Sequence, residues 1–170
     1  MTTPLVLTVI SADKPGLVES IAQAITRHGG NWLESRMARM AGQFAGILRV
    51  DIASDRVDAL RLDLDALKAQ EINIQVTVSG MADEGEHSVL HLSLVGNDRP
   101  GIVHEVSQIL VSHGVNVEEL ETQCTPAPMS ADMLFRAQAR LGVMPQTDLV
   151  ALRNDLENLA DDLMVELSED

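Results

Sequence analysis

The sequence predicts an α+β protein made of two ferredoxin-like units, each a four-stranded antiparallel sheet with two helices on one face. Two observations predict this fold. One segment recurs at an offset of 85 residues, and in both copies the apolar residues first alternate and then follow helical spacing. A small, acidic segment over 81–87 reads as a linker, so the expected domains are 1–80 and 88–170.

The repeat is clearest between residues 13–35 and 98–120. Nine of these 23 residue pairs are identical, and they include an Asp-x-Pro-Gly turn and a later His-Gly-x-Asn segment. This many identities at one offset indicate an internal duplication. Both copies are therefore expected to fold with the same order of elements, β-α-β-β-α-β.

A strand and a helix open each copy. Alternate residues before each Asp-x-Pro-Gly motif are apolar, which is the period of a half-buried strand. After the motif the apolar residues follow the spacing of a helix that packs one face on a core. Gly29 and Gly114 then stand where a left-handed residue ends a helix. The strand residues are Leu5, Leu7 and Val9 in the first copy and Leu90, Leu92 and Leu94 in the second.

Two strands, a second helix and a last strand complete each copy. Apolar residues spaced by three, four and three predict the second helix, and renewed alternation predicts the last strand. The first copy is expected to have strands at about 31–41, 43–53 and 72–78 and a helix over 57–67, and the second copy strands at about 115–124, 131–140 and 163–167 and a helix over 149–159.

The sheet face away from the helices is also partly apolar. It carries Val6, Ile10 and Val95, and exposed apolar surface of this kind usually packs on something. The other copy or a second chain is the simplest cover, so we expect a homodimer.

Composition and charge exclude several classes of partner. The chain has 12 basic and 26 acidic residues, a net charge of −14, and residues 81–170 alone carry −13. This balance argues against nucleic acid or an anionic membrane as the main partner. Aromatic residues make up only 2%, too few for a platform that stacks bases. The acidic second half provides solubility or, alternatively, steers a basic partner protein.

The cysteine content and the first residues predict a cytoplasmic protein. Cys124 is the single cysteine, so no intramolecular disulfide forms, and we expect it to fill space in the fold. The first basic residue, Lys14, follows the apolar run 5–10, the reverse of a signal peptide. That run is also too short to span a bilayer.

The strongest candidate for a binding site is the turn over 13–17 and its twin over 98–102. Proline suits the first turn of a helix, and glycine lets a ligand approach the backbone closely. Free N–H groups at the helix start attract a carboxylate or a phosphate. The structural alternative is that Asp13 and Asp98 accept hydrogen bonds from the glycine N–H groups and cap their helices.

Asn31 and Asn116 form a second candidate pair, at the start of the second strand of each copy. The predicted topology puts each asparagine and its own turn at opposite ends of one unit. They meet only across a contact between two units, where the turn's acidic group holds a ligand amine and backbone N–H groups take its carboxylate. The pattern therefore predicts an amino-acid site at an interface.

No catalytic machinery, cofactor or metal centre is predicted. His28 and His113 end their helices, where an imidazole more often caps than catalyses. His87 and His91 share one strand face without a third ligand nearby, so we expect no zinc site. No nucleotide-binding glycine motif and no nucleophile elbow occurs, and we expect a protein that is not an enzyme.

Both copies resemble ACT domains, regulatory modules that sense amino acids and related small ligands. The Asp-x-Pro-Gly turn, the helix, the His-Gly-x-Asn segment and the strand carry the resemblance, which covers nearly the whole chain. The tandem arrangement without a catalytic domain, together with the stretches 31–38, 42–44, 116–120 and 122–126, resembles the family of glycine cleavage system transcriptional repressors.

The resemblance implies binding of glycine or a related amino acid and action on a DNA-bound transcriptional activator rather than on DNA. Three alternatives remain: a regulatory subunit of a metabolic enzyme, a catalytic protein with a cryptic site, and a structural module whose turns bind nothing. The ligand-binding residues that the resemblance implies are Asp13, Pro15, Gly16, Leu17, Asn31, Asp98, Pro100, Gly101, Ile102 and Asn116.

Overall fold

The computed structural model describes residues 1–80 and 85–169. The chain divides into two compact units, with the boundary between residues 83 and 84. Each unit has the predicted order β-α-β-β-α-β. The extent of the linker expected over 81–87 stays a prediction, because residues 81–84 lie outside the described residues.

The first unit is a four-stranded antiparallel sheet with the strand order β2-β3-β1-β4. Short 3₁₀ turns precede and follow its second helix, over 54–56 and 67–70. Its elements are β1 (Thr2–Ala12), α1 (Leu17–Arg27), β2 (Asn31–Met40), β3 (Gln43–Ala53), α2 (Val57–Ala66) and β4 (Ile72–Val78).

The second unit repeats this topology with the order β6-β7-β5-β8. The hairpin strands β6 and β7 end later than the sequence predicts, at residues 126 and 143. Their ladder continues to a pair between Pro126 and Met133. The elements are β5 (Ser88–Asn97), α3 (Ile102–Ser112), β6 (Asn116–Pro126), β7 (Met133–Val143), α4 (Leu149–Glu157) and β8 (Met164–Glu169).

Each unit has its own core between the helices and one face of the sheet. In the first unit Leu5, Leu7 and Val9 are fully buried. Ile21 of α1 and Leu60 of α2 belong to the same buried cluster. A period of two in a strand and one of about 3.6 in a helix bring these residues to one side. The predicted core positions are confirmed, and in the second unit they are Leu90, Leu92, Leu94, Ile102, Val106, Leu110, Leu152 and Leu156.

The sheet face away from the helices is partly apolar, as predicted. Val6 and Val95 are half-buried, whereas Ile10 and Ile47 are 52% and 53% exposed. The strand register places Ile10 and Ile47 on the same face of the first sheet. A second chain as the cover of this face stays a prediction.

Candidate functional site

The turn before each first helix is built on a left-handed glycine. Gly16 and Gly101 occupy the N-cap positions of α1 and α3 with φ of 90° and 87°. A residue with a Cβ is strained in this region, so the backbone conformation alone favours glycine. A Cβ at either position would meet no atom within 4 Å. A ligand therefore has open access to the backbone of both turns.

Pro15 and Pro100 lie just before the helices, which begin after the Asp-x-Pro-Gly motif, where the helical spacing of apolar residues begins. Each lies one residue before the N-cap glycine, and the helices begin at Leu17 and Ile102. The positive φ of the glycine is incompatible with a helix, so the helix starts after it. The proline instead fixes the approach of the chain to the turn.

The helix starts present N–H groups that have no intrahelical partner. The N–H of Ser20 donates to the Gly16 carbonyl at 2.9 Å, and the N–H of Glu105 donates to the Gly101 carbonyl at 3.0 Å. The N–H groups that precede these bonds point out of the helix beside the positive end of its dipole. Leu17 and Ile102 lie at this point, but their side chains are buried in the cores. Only their backbone is available to a ligand.

In the first unit the motif aspartate is paired with an arginine. The Arg39 Nε donates to the Asp13 Oδ2 at 2.7 Å. Arg39 lies near the end of β2, and the N–H of Asp13 donates to the Gly42 carbonyl in the following turn at 2.9 Å. Among the described residues, no hydrogen bond joins the Asp13 carboxylate to the Gly16 N–H, so the local capping alternative is wrong here.

In the second unit a thiol takes the place of that arginine. Cys124 lies 85 residues after Arg39, and its Sγ is hydrogen-bonded to the Asp98 carboxylate. Partial desolvation of the sulfur, this hydrogen bond and the negative charge of Asp98 together raise the pKa of Cys124. The thiol therefore stays neutral at physiological pH. In residues 85–169 no Lys or Arg forms an ion pair with Asp98.

The position of Cys124 corrects its expected role. Cys124 is exposed, so it does not fill space in the core. Sequence analysis also missed Arg39 as part of the site. The offset of 85 also pairs Arg39 with Cys124, just beyond residues 13–35 and 98–120, so the internal repeat is the signal that points to both positions.

The basic residue inside each turn is engaged away from the aspartate. The Lys14 Nζ donates to the Gln70 carbonyl, and Arg99 forms an ion pair with Glu105. The hydrogen bond between Arg99 and Glu105 raises the pKa of Arg99 and lowers the pKa of Glu105. Neither basic side chain therefore neutralises the aspartate beside it.

The asparagines lie far from the turns of their own units. Asn31 pairs with Asp51 of β3, whereas the first turn adjoins Gln43 at the other end of that strand. Eight strand residues separate these ends by about 27 Å. Asn116 occupies the matching place and pairs with Gly142. Within a unit the asparagine and the turn do not come together, which agrees with the predicted topology.

His28 and His113 each join the first helix of their unit to the second. The His28 Nε2 lies 2.8 Å from the Asp63 Oδ2, and the His113 Nε2 lies 2.7 Å from the Asp155 Oδ2. Both histidines end their helices as predicted and their backbone N–H groups cap α1 and α3, but the imidazoles bind the aspartates instead of the last carbonyls. The hydrogen bond from His28, with a smaller effect of Arg27, lowers the pKa of Asp63. These pairs are structural ties between helices.

Acidification should weaken the first unit through Asp63. The pKa of Asp63 is lower in the folded protein than its ordinary value of 3.8. The ionised carboxylate therefore stabilises the fold at pH values above 3.8. That contribution is lost as the pH falls from about 5 to about 2. Asp63→Asn should therefore reduce the acid-induced loss of stability, as measured by urea unfolding across this range. Asp58→Asn, on the same helix, is the control, and equal pH dependence in both variants would contradict the assignment.

Residues 1–80 and 85–169 contain neither a candidate metal centre nor a candidate membrane span. No group of three or more His, Cys, Asp or Glu side chains in these ranges is placed to hold a metal ion. The His87 Nε2 lies 3.0 Å from the Glu118 Oε1. No helix in the same ranges is both long and apolar enough to cross a membrane.

The family model of the ACT domain matches residues 3–79 and 88–168, one match in each unit. The chain belongs to the ACT domain family. It is a tandem ACT protein, and its two ferredoxin-like units are its two ACT domains. The Asp-x-Pro-Gly turns and both asparagines lie inside the matched ranges.

Curated relatives include a regulator of transcription. The glycine cleavage system transcriptional repressor of Escherichia coli (strain K12) is 22% identical over 126 residues, which are 72% of this chain and 66% of the repressor. The chain thus spans just under two thirds of that relative's length. UPF0237 protein MJ1558 of Methanocaldococcus jannaschii is 33% identical over 75 residues, which are 44% of this chain and 83% of that protein.

Solved structures share the tandem ACT fold. An unknown protein from Galdieria sulphuraria superposes on this chain with a TM-score of 0.84 at 26% sequence identity. The superposition covers 100% of this chain and 99% of the Galdieria chain. A structure provisionally assigned as a glycine cleavage system transcriptional repressor has a TM-score of 0.69 at 16% identity, with 100% and 99% covered. The second likeness shows the fold alone. This ACT protein is therefore similar in sequence to the Escherichia coli repressor over most of its length.

Proposed function

We propose that this tandem ACT protein binds a small α-amino acid at its Asp-x-Pro-Gly turns and passes the signal to a protein partner. The observation that carries the proposal is the second turn, where a neutral thiol and no Lys or Arg of residues 85–169 is the partner of the Asp98 carboxylate. The free N–H groups at the start of α3 lie in the same turn. An α-amino acid has an ammonium for the carboxylate and a carboxylate for the N–H groups.

The two turns differ in how readily they accept an ammonium group. A ligand at the first turn has to displace Arg39 from Asp13, although the exposed arginine side chain is free to move. At the second turn the ligand displaces only the thiol of Cys124. We expect the second turn to bind the amino acid more tightly than the first. The difference in binding free energy should be about that of one exposed ion pair, which is small.

The other expected ligand residues have supporting roles in this proposal. The prolines and glycines shape the turns, and Leu17 and Ile102 contribute backbone N–H groups. Asn31 and Asn116 complete a site only where a second unit meets the turn, because each lies at the far end of its own unit. A sedimenting mass above 18.4 kDa would support a homodimer as the source of that second unit.

A protein is a more suitable partner than DNA for this chain. Residues 81–170 carry 17 acidic and 4 basic side chains, and this charge repels phosphate but attracts a basic protein surface. The Escherichia coli relative is named as a transcriptional repressor of the glycine cleavage system. We propose by analogy that glycine or a similar amino acid is the ligand and that a transcriptional activator is the partner. Coupling requires that the ligand prefers one arrangement of the protein.

Thermal unfolding with a panel of amino acids tests the proposal. A ligand at 100 times its dissociation constant adds about 2.7 kcal/mol of stability, or several degrees in the melting temperature. The panel contains glycine, serine, alanine, valine and leucine. Glycolate and methylamine, which each lack one of the two charged groups of glycine, are the controls. A shift selective for an amino acid supports the proposal, and no shift with any of them overturns it.

A further inference from the structure

A groove runs along the helix side of the second unit's sheet, between α3 and the edge strand β6. It is a shallow groove that is partly open to solvent. Val103 and Leu110 of α3 form one wall, Thr122 of β6 lies on the other side, and Phe135 and Ala139 of β7 form the floor. Most of its surface is therefore apolar.

The first unit fills the equivalent space with larger side chains. Trp32, Met37 and Leu48 pack on its core. The strand registers of the two sheets match, so the positions correspond residue by residue. Packed interiors leave little empty space, so large side chains at these positions close the first unit. In the second unit the corresponding residues are smaller, which opens the groove. They are Val117, Thr122 and Ala139, in the order of Trp32, Met37 and Leu48.

One end of the groove lies at the Asp-x-Pro-Gly turn. Thr122 and Cys124 are two residues apart on β6, so their side chains share the face toward α3. The Cys124 thiol is hydrogen-bonded to Asp98. Val103 is the second residue of α3, directly after the turn. A ligand whose ammonium meets Asp98 can therefore place a side chain between α3 and β6.

The groove offers little to a polar side chain. The Ser107 hydroxyl lines it but donates to the Val103 carbonyl at 2.6 Å, so this donor is already used. Thr122 contributes the other hydroxyl of the lining. The space corresponds to the ends of a methionine and a leucine side chain, which fill it in the first unit. An aliphatic group of a few carbons matches this space in shape and chemistry.

We propose that the second ACT domain binds an α-amino acid with an aliphatic side chain of valine or leucine size. The groove holds the side chain while the ammonium group pairs with Asp98. This inference rests on the proposed function and assigns the second turn a larger ligand than glycine, which stays the ligand proposed for the first turn. The carboxylate at one end and the apolar walls together define an occupant with one positive charge and a short apolar chain.

Titration calorimetry of the full chain with glycine, alanine, valine and leucine tests the inference. Each buried methylene should tighten binding about fourfold. Leucine should therefore bind at least tenfold more tightly than glycine. The acid 4-methylpentanoate, which is leucine without its ammonium group, should bind much more weakly than leucine.

Filling the groove should remove the preference for leucine. Ala139→Leu introduces the residue that the first unit has at this position, and Thr122→Met does the same on β6. Either variant should reduce the affinity for leucine to about that for glycine. Gln138→Leu adds the same side chain to the opposite sheet face, where Gln138 is exposed, and should keep the preference. Circular dichroism melts check that each variant folds.

The outcomes separate this inference from the proposed function. If both filled variants keep the preference for leucine, the groove is not the side-chain site and this inference is overturned. The proposed binding of an amino acid would be unaffected. Equal binding of 4-methylpentanoate and leucine also overturns it, because Asp98 would then have no part. If no amino acid binds the wild-type chain, the proposed function fails and the groove fails with it.

Discussion

Asp98→Ala should weaken amino-acid binding about 10- to 100-fold, because it removes a charge-assisted hydrogen bond worth about 1.5–3 kcal/mol. Asp13→Ala should weaken binding only severalfold, since Arg39 already pairs with this carboxylate at 2.7 Å. Neither aspartate caps its helix, so both variants should unfold within about 0.5 kcal/mol of the wild type. Titration calorimetry measures the binding, and melting without ligand measures the stability.

Exchanging the neighbours of the two aspartates provides the control. Cys124→Arg should pair with Asp98 and weaken binding at the second turn. Arg39→Cys, kept under reducing conditions, should free Asp13 and strengthen binding at the first turn. Equal losses from Asp13→Ala and Asp98→Ala would refute the difference between the turns. If each variant lost as much unfolding free energy as binding free energy, a structural role for both aspartates would be supported instead.

Leu60→Ala and Leu152→Ala should give the largest losses of stability in the protein. The two leucines occupy equivalent places on α2 and α4, and both are fully buried. Truncating a buried leucine leaves a cavity and costs about 2–5 kcal/mol. In a unit of this size the melting temperature should fall by roughly 10–30 °C. Differential scanning calorimetry of each variant measures the change.

Leu62→Ala is the matched control for the first of these variants. Leu62 lies on the same helix, two residues from Leu60, but its side chain is 74% exposed. Its truncation should change the unfolding free energy by no more than about 0.5 kcal/mol. A loss equal to that of Leu60→Ala would mean that helix propensity, rather than packing, determines the stability of α2.

Local patterns predicted most of the elements because burial repeats with the period of the backbone. Leu5, Leu7 and Val9 alternate in a strand that has one face on the core, and this pattern identifies both the strand and its buried side. Gly29 was predicted as a left-handed helix end, and its φ is 71°. The ends of β6 and β7 were less predictable, because the length of a ladder depends on the partner strand.

The start of α1 depends on the glycine of the motif as well as on its proline. Proline favours the first helical position in general, and the sequence contains a proline at the right point. The glycine after it adopts a φ of 90° and delays the helix to Leu17. The helical spacing of apolar residues, which begins after the motif, already predicted this start.

The sequence by itself determined the duplication, the order of the elements, the two cores and the position of the Asp-x-Pro-Gly turns, because local periodicity and glycine conformation depend on neighbouring residues. Only the tertiary structure decided that Asp13 is paired with Arg39, that Asp98 has the thiol of Cys124 instead, and that a groove opens beside it. These features depend on strands and helices that are distant in sequence. Their side chains meet only after the sheet has formed and the helix has packed on it.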